Sequence, residues 1–401
     1  MFNSKPRTGL VPPSLLVSSC LLTVLACSGT EDTPVAAPGE PLPGLTSEYL
    51  ARFQEGRAWF DYGWTQEDGL GPLYLQDRCS SCHDLPTLGG TGVEVLVLAT
   101  RFHGREGCDL LEEEGGPILQ RRATPLAQAA GIFREEVPEG ATHRVTEVSP
   151  LLYGLGLVEA IPEETILANA DPDDEDGDGI SGRASRTEDG RLGRLTRKAE
   201  VATIRELVEG AFAAELGLTS PNQMEEETLN GVPLPPETDP VPEPEIQDEV
   251  IARVTDFIRF LAPPAPEDPE TDALRDSILQ GERLFHQSGC GSCHVPALRN
   301  GPSEIEALDR KTIYLYSDML LHDLGPGYET VCALDASPSE FRTARLQGTR
   351  YRQAFSRGLV APQRLEQAIL NHGGEAATAR EAFDSLNTEG QRLLVRFLLS
   401  L

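Results

Sequence analysis

The clearest periodic signal in the chain is the run "DEVIARVTDFIRFLAPP". There Val250, Ile251, Val254, Phe257, Ile258 and Leu261 recur at i, i+3 and i+4 and so share one face of a helix. Pro263 and Pro264 stop it. The C-terminal "QRLLVRFLLSL" repeats the pattern through Leu393, Leu394, Phe397, Leu398 and Leu401. Two other helical stretches match each other: "QEGRAWF" (54–60) and "LQGERLF" (279–285) each place a glycine four residues before a phenylalanine. Each of them precedes the pattern Cys-x-x-Cys-His, first in "DRCSSCHDLP" and again in "SGCGSCHVPAL". Strand-like alternation is scarce. The pattern therefore predicts a mainly α chain built from two units, 46–266 and 267–401, each running helix, Cys-x-x-Cys-His, loop, closing helix. The first unit carries long loop insertions, one between Phe60 and Cys79 and another in the Pro/Glu-rich stretch 222–246.

The N-terminus has a different character. Basic Lys5 and Arg7 precede an apolar run that ends in Val24-Leu25-Ala26-Cys27, the layout of an export signal. Its ending is similar to a lipoprotein signal cleaved after residue 26, with lipid on Cys27; a plain secretory signal is the alternative. Residues 27–45, rich in Pro, Gly and small polar side chains, read as a flexible tether. Beyond the signal no stretch has the roughly 20 apolar residues of a membrane span. The expected setting is the periplasm or cell surface, with membrane contact only through the lipid.

Charge narrows the partners. With 64 acidic against 34 basic residues and a formal net charge of −30, nucleic acid is excluded as a partner, since phosphate contacts depend on Lys and Arg. A protein partner would instead present a basic face.

The two motifs carry the chemistry. Cys79, Cys82 and His83, and again Cys290, Cys293 and His294, place two thiols about one turn apart beside an imidazole. That is the arrangement for covalent attachment of a c-type haem, with the histidine as iron ligand. A zinc site would need four converging ligands, and a thioredoxin-like motif a strand-to-helix context. Two covalently bound haems are therefore expected. Cys108 and Cys332 remain, to pair or to stay free.

Function then turns on the second axial position of each iron, where a strong protein ligand makes an electron carrier and an open position permits chemistry on peroxide or oxygen. In "IYLYSDMLLHDLGPG", Tyr316, Met319 and His322 are candidate distal ligands, against the plainer reading of Met319 as core packing and His322 as a hydrogen-bonded loop residue. His372, closing "RLEQAILNHGG", reads equally as a haem-edge residue or as a satisfied helix-end histidine. The loop "DPDDEDGDGISGR" offers Asp174, Asp176 and Asp178 to Ca²⁺, or is a solvated acidic turn.

Several longer segments, including "GLGLVEAIPEETILANADPDDEDGDGISGR", "GERLFHQSGCGSCHVPAL", "YSDMLLHDLGPG" and "AILNHGGEA", together resemble the bacterial di-haem oxidoreductases described as peroxidases. These are more distantly related to di-haem cytochrome c peroxidases and MauG. The resemblance covers most of the chain after residue 48. It implies two cytochrome c-like domains in tandem, a peroxide-reacting haem on His83, and a relay haem on His294 fed by a small redox donor. It also implies calcium between the haems, which favours the Asp174–Asp178 loop. A peroxide site needs a distal acid/base, for which Glu159 and then His103 are the candidates. The chain departs from the family pattern in two places. "QAFSRGLVAPQRLEQAI" lacks the usual His-Asp pair, and Thr196 and Arg197 stand where many relatives have Gly-Trp. The rival expectation is a non-catalytic di-haem electron carrier with both irons saturated.

Overall fold

The computed structural model describes Met1 and residues 33–352 and 365–401. The export signal, Cys27 and the first of the two departures, at 353–364, lie outside the described residues. Six helices position the site: α1 (Ser47–Phe60), α2 (Leu155–Glu159), α3 (Ile204–Leu216), α4 (Asp248–Phe260), α5 (Asp272–Gln287) and α6 (Thr388–Leu398). Their starts follow local chemistry. Side chains of Thr46, Thr271 and Asn387 accept backbone N–H groups in the first turns of α1, α5 and α6, and Thr203 with Glu206 forms a reciprocal capping box on α3.

The two glycine–phenylalanine stretches become two equivalent helix crossings. α1 packs on α4 and α5 on α6. At the first crossing Gly56 lies so close to α4 that a Cβ there would overlap the Arg253 carbonyl oxygen and stand 2.9 Å from the Phe257 Cβ. At the second, a Cβ on Gly281 would overlap the Leu393 carbonyl oxygen and stand 2.7 Å from the Phe397 Cβ. One turn on, the phenylalanines meet: Phe60 with Phe257 at 4.8 Å between ring centroids, Phe285 with Phe397 at 5.4 Å.

The described residues from 33 onward cluster as one compact unit. The larger hydrophobic core draws on residues either side of 266, among them Phe60, Phe257, Leu298, Ile313 and Leu320. A smaller core around Phe285, Tyr316, Phe383 and Phe397 lies against α5 and α6.

Strands are more frequent than the sequence pattern suggests. β1 (Val95–Phe102) is the centre of a three-stranded antiparallel sheet, with β2 (Cys108–Asp109) on one side and β3 (His143–Val148) on the other. β4 (Leu321–Asp323) and β5 (Glu340–Arg342) form a short antiparallel ladder in which His322 faces Phe341. The alternation was hard to see because β1 is half-buried along most of its length on both faces, so "VLVLATRF" reads as a continuous apolar run.

The expected tether is a correction. Residues 33–45 lie against the body: Leu42 is buried and its N–H donates to Phe260 O at 2.8 Å, Ala262 N donates to Glu40 O, and the Thr33 hydroxyl donates to Thr312 O. Proline-rich backbone forms no helix of its own, but here it finds partners in the extended chain that follows α4. Cys108 and Cys332 are joined by a disulfide, Cα–Cα 5.7 Å, across 224 residues of sequence. Among the described residues no helix is long and apolar enough to cross a membrane.

Candidate functional site

Both Cys-x-x-Cys-His motifs begin as a single tight turn, Cys79–Ser81 after the insertion that follows α1, and Cys290–Ser292 directly beyond α5. All four cysteines are free thiols. Burial pushes Cys79 and Cys82 up to about 12 and Cys290 up to about 11. Zinc and redox sites need thiolates, which these surroundings disfavour. The motif histidines share one geometry. His83 Nδ1 donates to Gly90 O at 2.9 Å and His294 Nδ1 donates to Tyr316 O at 2.9 Å. This fixes the tautomer and leaves each Nε2 with a free lone pair, the state an iron ligand requires. Burial lowers the pKa of both rings, His294 to about 4, so each imidazole is neutral. The conserved helix geometry enters here as well: Phe60 packs on His83 at 6.2 Å and Phe285 on His294 at 6.4 Å. The residues at both motifs therefore fit covalently held haem.

The expected distal ligands are placed otherwise. His322 donates from Nε2 to Asp318 Oδ2 at 2.8 Å and from Nδ1 to Glu375 Oε2 at 2.7 Å, with Cys293 Sγ 3.8 Å from the same Nδ1. The ring is 5% exposed, and although burial opposes its charge, the hydrogen bonds to Asp318, Cys293 and Glu375 push it up to about 12. A doubly donating imidazolium has no lone pair for iron, so His322 acts as an ion-pair centre beside the second motif. Met319 lies in the core, and its Sδ accepts from Arg342 Nη1 at 3.6 Å. His372, left open in the sequence, has the signature of the motif histidines instead: Nδ1 donates to Ala368 O at 2.8 Å, burial lowers its pKa, and its charge would act on His294. The helix that precedes it, Leu365–Leu370, packs on the core that holds Phe285, Tyr316 and Cys290.

Replacing His322 by alanine is expected to cost about 3–5 kcal/mol, because Asp318, 2% exposed, is left charged and unpaired. His322 has a folded pKa above its ordinary 6.5, so its stabilisation is complete below that pH and declines as pH rises toward about 12. Urea unfolding at mildly acid and at alkaline pH should show the parent losing more stability than the variant over this interval; equal losses would mean that the ring is not protonated.

Glu159 and His103 belong to neither cluster. Glu159 ends α2, where its carboxylate is held by Arg259 at 2.8 Å and accepts the Ile204 N–H at the start of α3. It thus braces α2, α3 and α4. His103 is exposed at the turn between β1 and β2. In the acidic loop Asp171, Asp174 and Asp176 bring carboxylate oxygens within 4.8 Å of one another. Asp178 turns away and caps the Ile180 N–H. The loop is tied to the second motif through Ser181, whose N–H and hydroxyl both donate to Glu375. Arg197 ion-pairs with Glu147 at 2.6 Å, and its carbonyl accepts the Arg342 N–H.

A family model described as "Di-haem oxidoreductase, putative peroxidase" matches residues 132–401. The chain belongs to this family. Di-haem oxidoreductases use haem as cofactor, in agreement with the donor sets at both motifs. No curated protein matches the sequence. Among solved structures, the Kuenenia stuttgartiensis hydrazine synthase pressurized with 20 bar xenon aligns at TM-score 0.41 and 13% identity, over 99% of this chain and 100% of that one. A MauG-like protein associated with microbial copper homeostasis aligns at TM-score 0.36 and 13% identity, over 93% and 94% of the two chains.

Proposed function

We propose that this di-haem oxidoreductase is an exported c-type enzyme that moves electrons from a small redox donor, through a haem on Cys290, Cys293 and His294, to a peroxide-like acceptor at a haem on Cys79, Cys82 and His83. The observation that carries the reading is the shared state of the two motifs: free thiol pairs, each beside a neutral histidine whose Nδ1 is committed to a backbone carbonyl. When bound, the haems supply one-electron transfer and, where an axial position is open, a place for peroxide.

The chain's own residues divide the work. His83 and His294 would hold the two haem irons. His372, whose Nδ1 donates to Ala368 O and whose charge would act on His294, would be the further residue to hold the iron of the C-terminal haem, and that haem would then serve as the relay. Asp171, Asp174 and Asp176 are the calcium ligands, linked through Ser181 and Glu375 to the relay side. The Cys108–Cys332 disulfide supports an oxidising compartment, and with the N-terminal signal it favours the periplasm or cell surface, with lipid on Cys27. The net charge of −30 favours a basic donor whose reaction slows as salt rises.

The test is an absorption and EPR series on the mature protein made with a cytochrome c maturation system, before and after half-reduction and then with hydrogen peroxide. The expected result is one low-spin haem and one high-spin haem that reacts with peroxide. His372→Gly should convert the low-spin haem to high-spin, and added imidazole should restore it. Two low-spin haems indifferent to peroxide would defeat the enzyme reading in favour of an electron carrier.

A further inference from the structure

The end of β5 and the segment that follows it carry Arg342, Arg345 and Arg352 and link the surroundings of the two attachment motifs. On the side of the first motif, Arg345 donates from Nη1 to Tyr153 O at 2.9 Å and from Nη2 to Leu151 O at 3.2 Å. That stretch begins at Ser149, whose carbonyl accepts the Thr91 hydroxyl and whose side chain bonds Cys82. On the side of the second motif, Arg342 donates to Thr343 O at 2.9 Å. The same Thr343 carbonyl accepts the Ser317 hydroxyl, and the N–H groups of Ser317 and Asp318 donate to Val295 O and Cys293 O. Arg352 closes the group by donating to Arg345 O.

Among the described residues these three guanidiniums donate to backbone carbonyls and, from Arg342, to the Met319 sulfur. Among the described residues no carboxylate is ion-paired with any of them. Glu200 and Asp318 act on Arg342 through space while hydrogen-bonded to the Thr196 hydroxyl and to His322, and no carboxylate acts in this way on Arg345 or Arg352. Each arginine keeps some exposed surface, yet protein crowds it and the three charges oppose one another: Arg345 is pushed down to about 9 and Arg352 to about 10, first by desolvation and then by neighbouring arginines. Arg345 and Arg352 feel only other arginines, like charges gathered without a counter-charge are costly, and a guanidinium fork is shaped for carboxylate or phosphate. The anion that belongs between two haem-attachment motifs is a haem propionate.

We infer that Arg342, Arg345 and Arg352 form the seat for haem propionate carboxylates between the two motifs, neutralising them and setting the haem potentials. This rests on the di-haem reading. Removing a cation beside a haem, and leaving its propionate unpaired, favours the ferric state and lowers the potential.

The test is spectroelectrochemistry of the haem-loaded protein, with covalent haem counted by mass spectrometry. Arg345→Gln is expected to lower at least one midpoint potential and to make it depend on pH as the freed propionate titrates. Arg345→Lys, which keeps the charge, should recover most of the shift, and Arg392→Gln, at an exposed ion pair on α6, should leave both potentials unchanged. Potentials that are unmoved in both Arg345→Gln and Arg352→Gln, with two haems still attached, would overturn the inference. A parent protein with fewer than two covalent haems would instead defeat the di-haem reading.

Discussion

Replacing Cys290 and Cys293 together by alanine is expected to leave a mature protein carrying a single covalent haem, with about half the haem absorbance of the parent and no peroxide turnover supported by a reduced donor. Neither motif can substitute for the other, because each thiol pair sits on its own turn behind its own helix crossing. The structural effect should be larger at this motif than at Cys79 and Cys82. The first motif lies against the extended core around Phe60 and Phe257, whereas the second lies against a smaller cluster of Phe285, Tyr316, Phe383 and Phe397. A haem lost from the smaller cluster removes a greater share of its apolar contact, so α5 and α6 should loosen first. Mass spectrometry of the mature chain reads the haem number, and limited proteolysis across Asp272–Gln287 reads the loosening. Two haems retained in the double variant would show that attachment does not use these thiols. Proteolysis concentrated at α1 instead would reverse the order of stability argued from the two cores.

The sequence made the two motifs and their helices legible because both signals are local: a five-residue pattern, and apolar positions at helical spacing with capping residues beside them. Long-range facts were less visible. Whether Cys108 meets Cys332 depends on β1 and β2 lying beside the loop that holds Cys332, where the Cys332 N–H donates to the Thr100 hydroxyl. His322 and His372 look alike in the sequence, and only their neighbours separate them, two carboxylates around the first ring and one helical carbonyl behind the second. Glu159 shows the same limit. The family resemblance called for a distal acid/base and offered Glu159, whereas Arg259, a hundred residues on, makes it a brace. The residues 33–45 were read as free because composition reports the absence of a private hydrogen-bond pattern, and says nothing of partners supplied by residues 260–264. The sequence did not single out Arg342, Arg345 and Arg352 as a site. Their spacing becomes meaningful only once Leu151, Tyr153 and Thr343 place them between the motifs.

Gly56→Ala and Gly281→Ala are each expected to destabilise the protein by about 2–3 kcal/mol or more, and to do so for the same reason. Neither glycine needs a left-handed backbone; both sit within regular helix, where alanine is by itself worth about 0.5–1 kcal/mol more than glycine. That intrinsic gain is outweighed by geometry. The added methyl at Gly56 would overlap the Arg253 carbonyl oxygen, and the one at Gly281 the Leu393 carbonyl oxygen, and backbone in the middle of a helix cannot step aside as a side chain can. Relief requires the paired helices to separate, which pulls Phe60 from Phe257 and His83, and Phe285 from Phe397 and His294. The loss of stability should therefore be accompanied by a change in the spectrum of the haem on the affected side only. Gly210 gives the matched control. It lies inside α3 with no atom within 4 Å of the Cβ position, so Gly210→Ala should stabilise by about 0.5–1 kcal/mol and leave both haem spectra unaltered. Denaturant unfolding of the three haem-loaded variants decides the matter. If Gly56→Ala or Gly281→Ala proves as stable as Gly210→Ala, the crossings are looser than drawn, and the repeated glycine–phenylalanine pair loses its role in setting each proximal histidine.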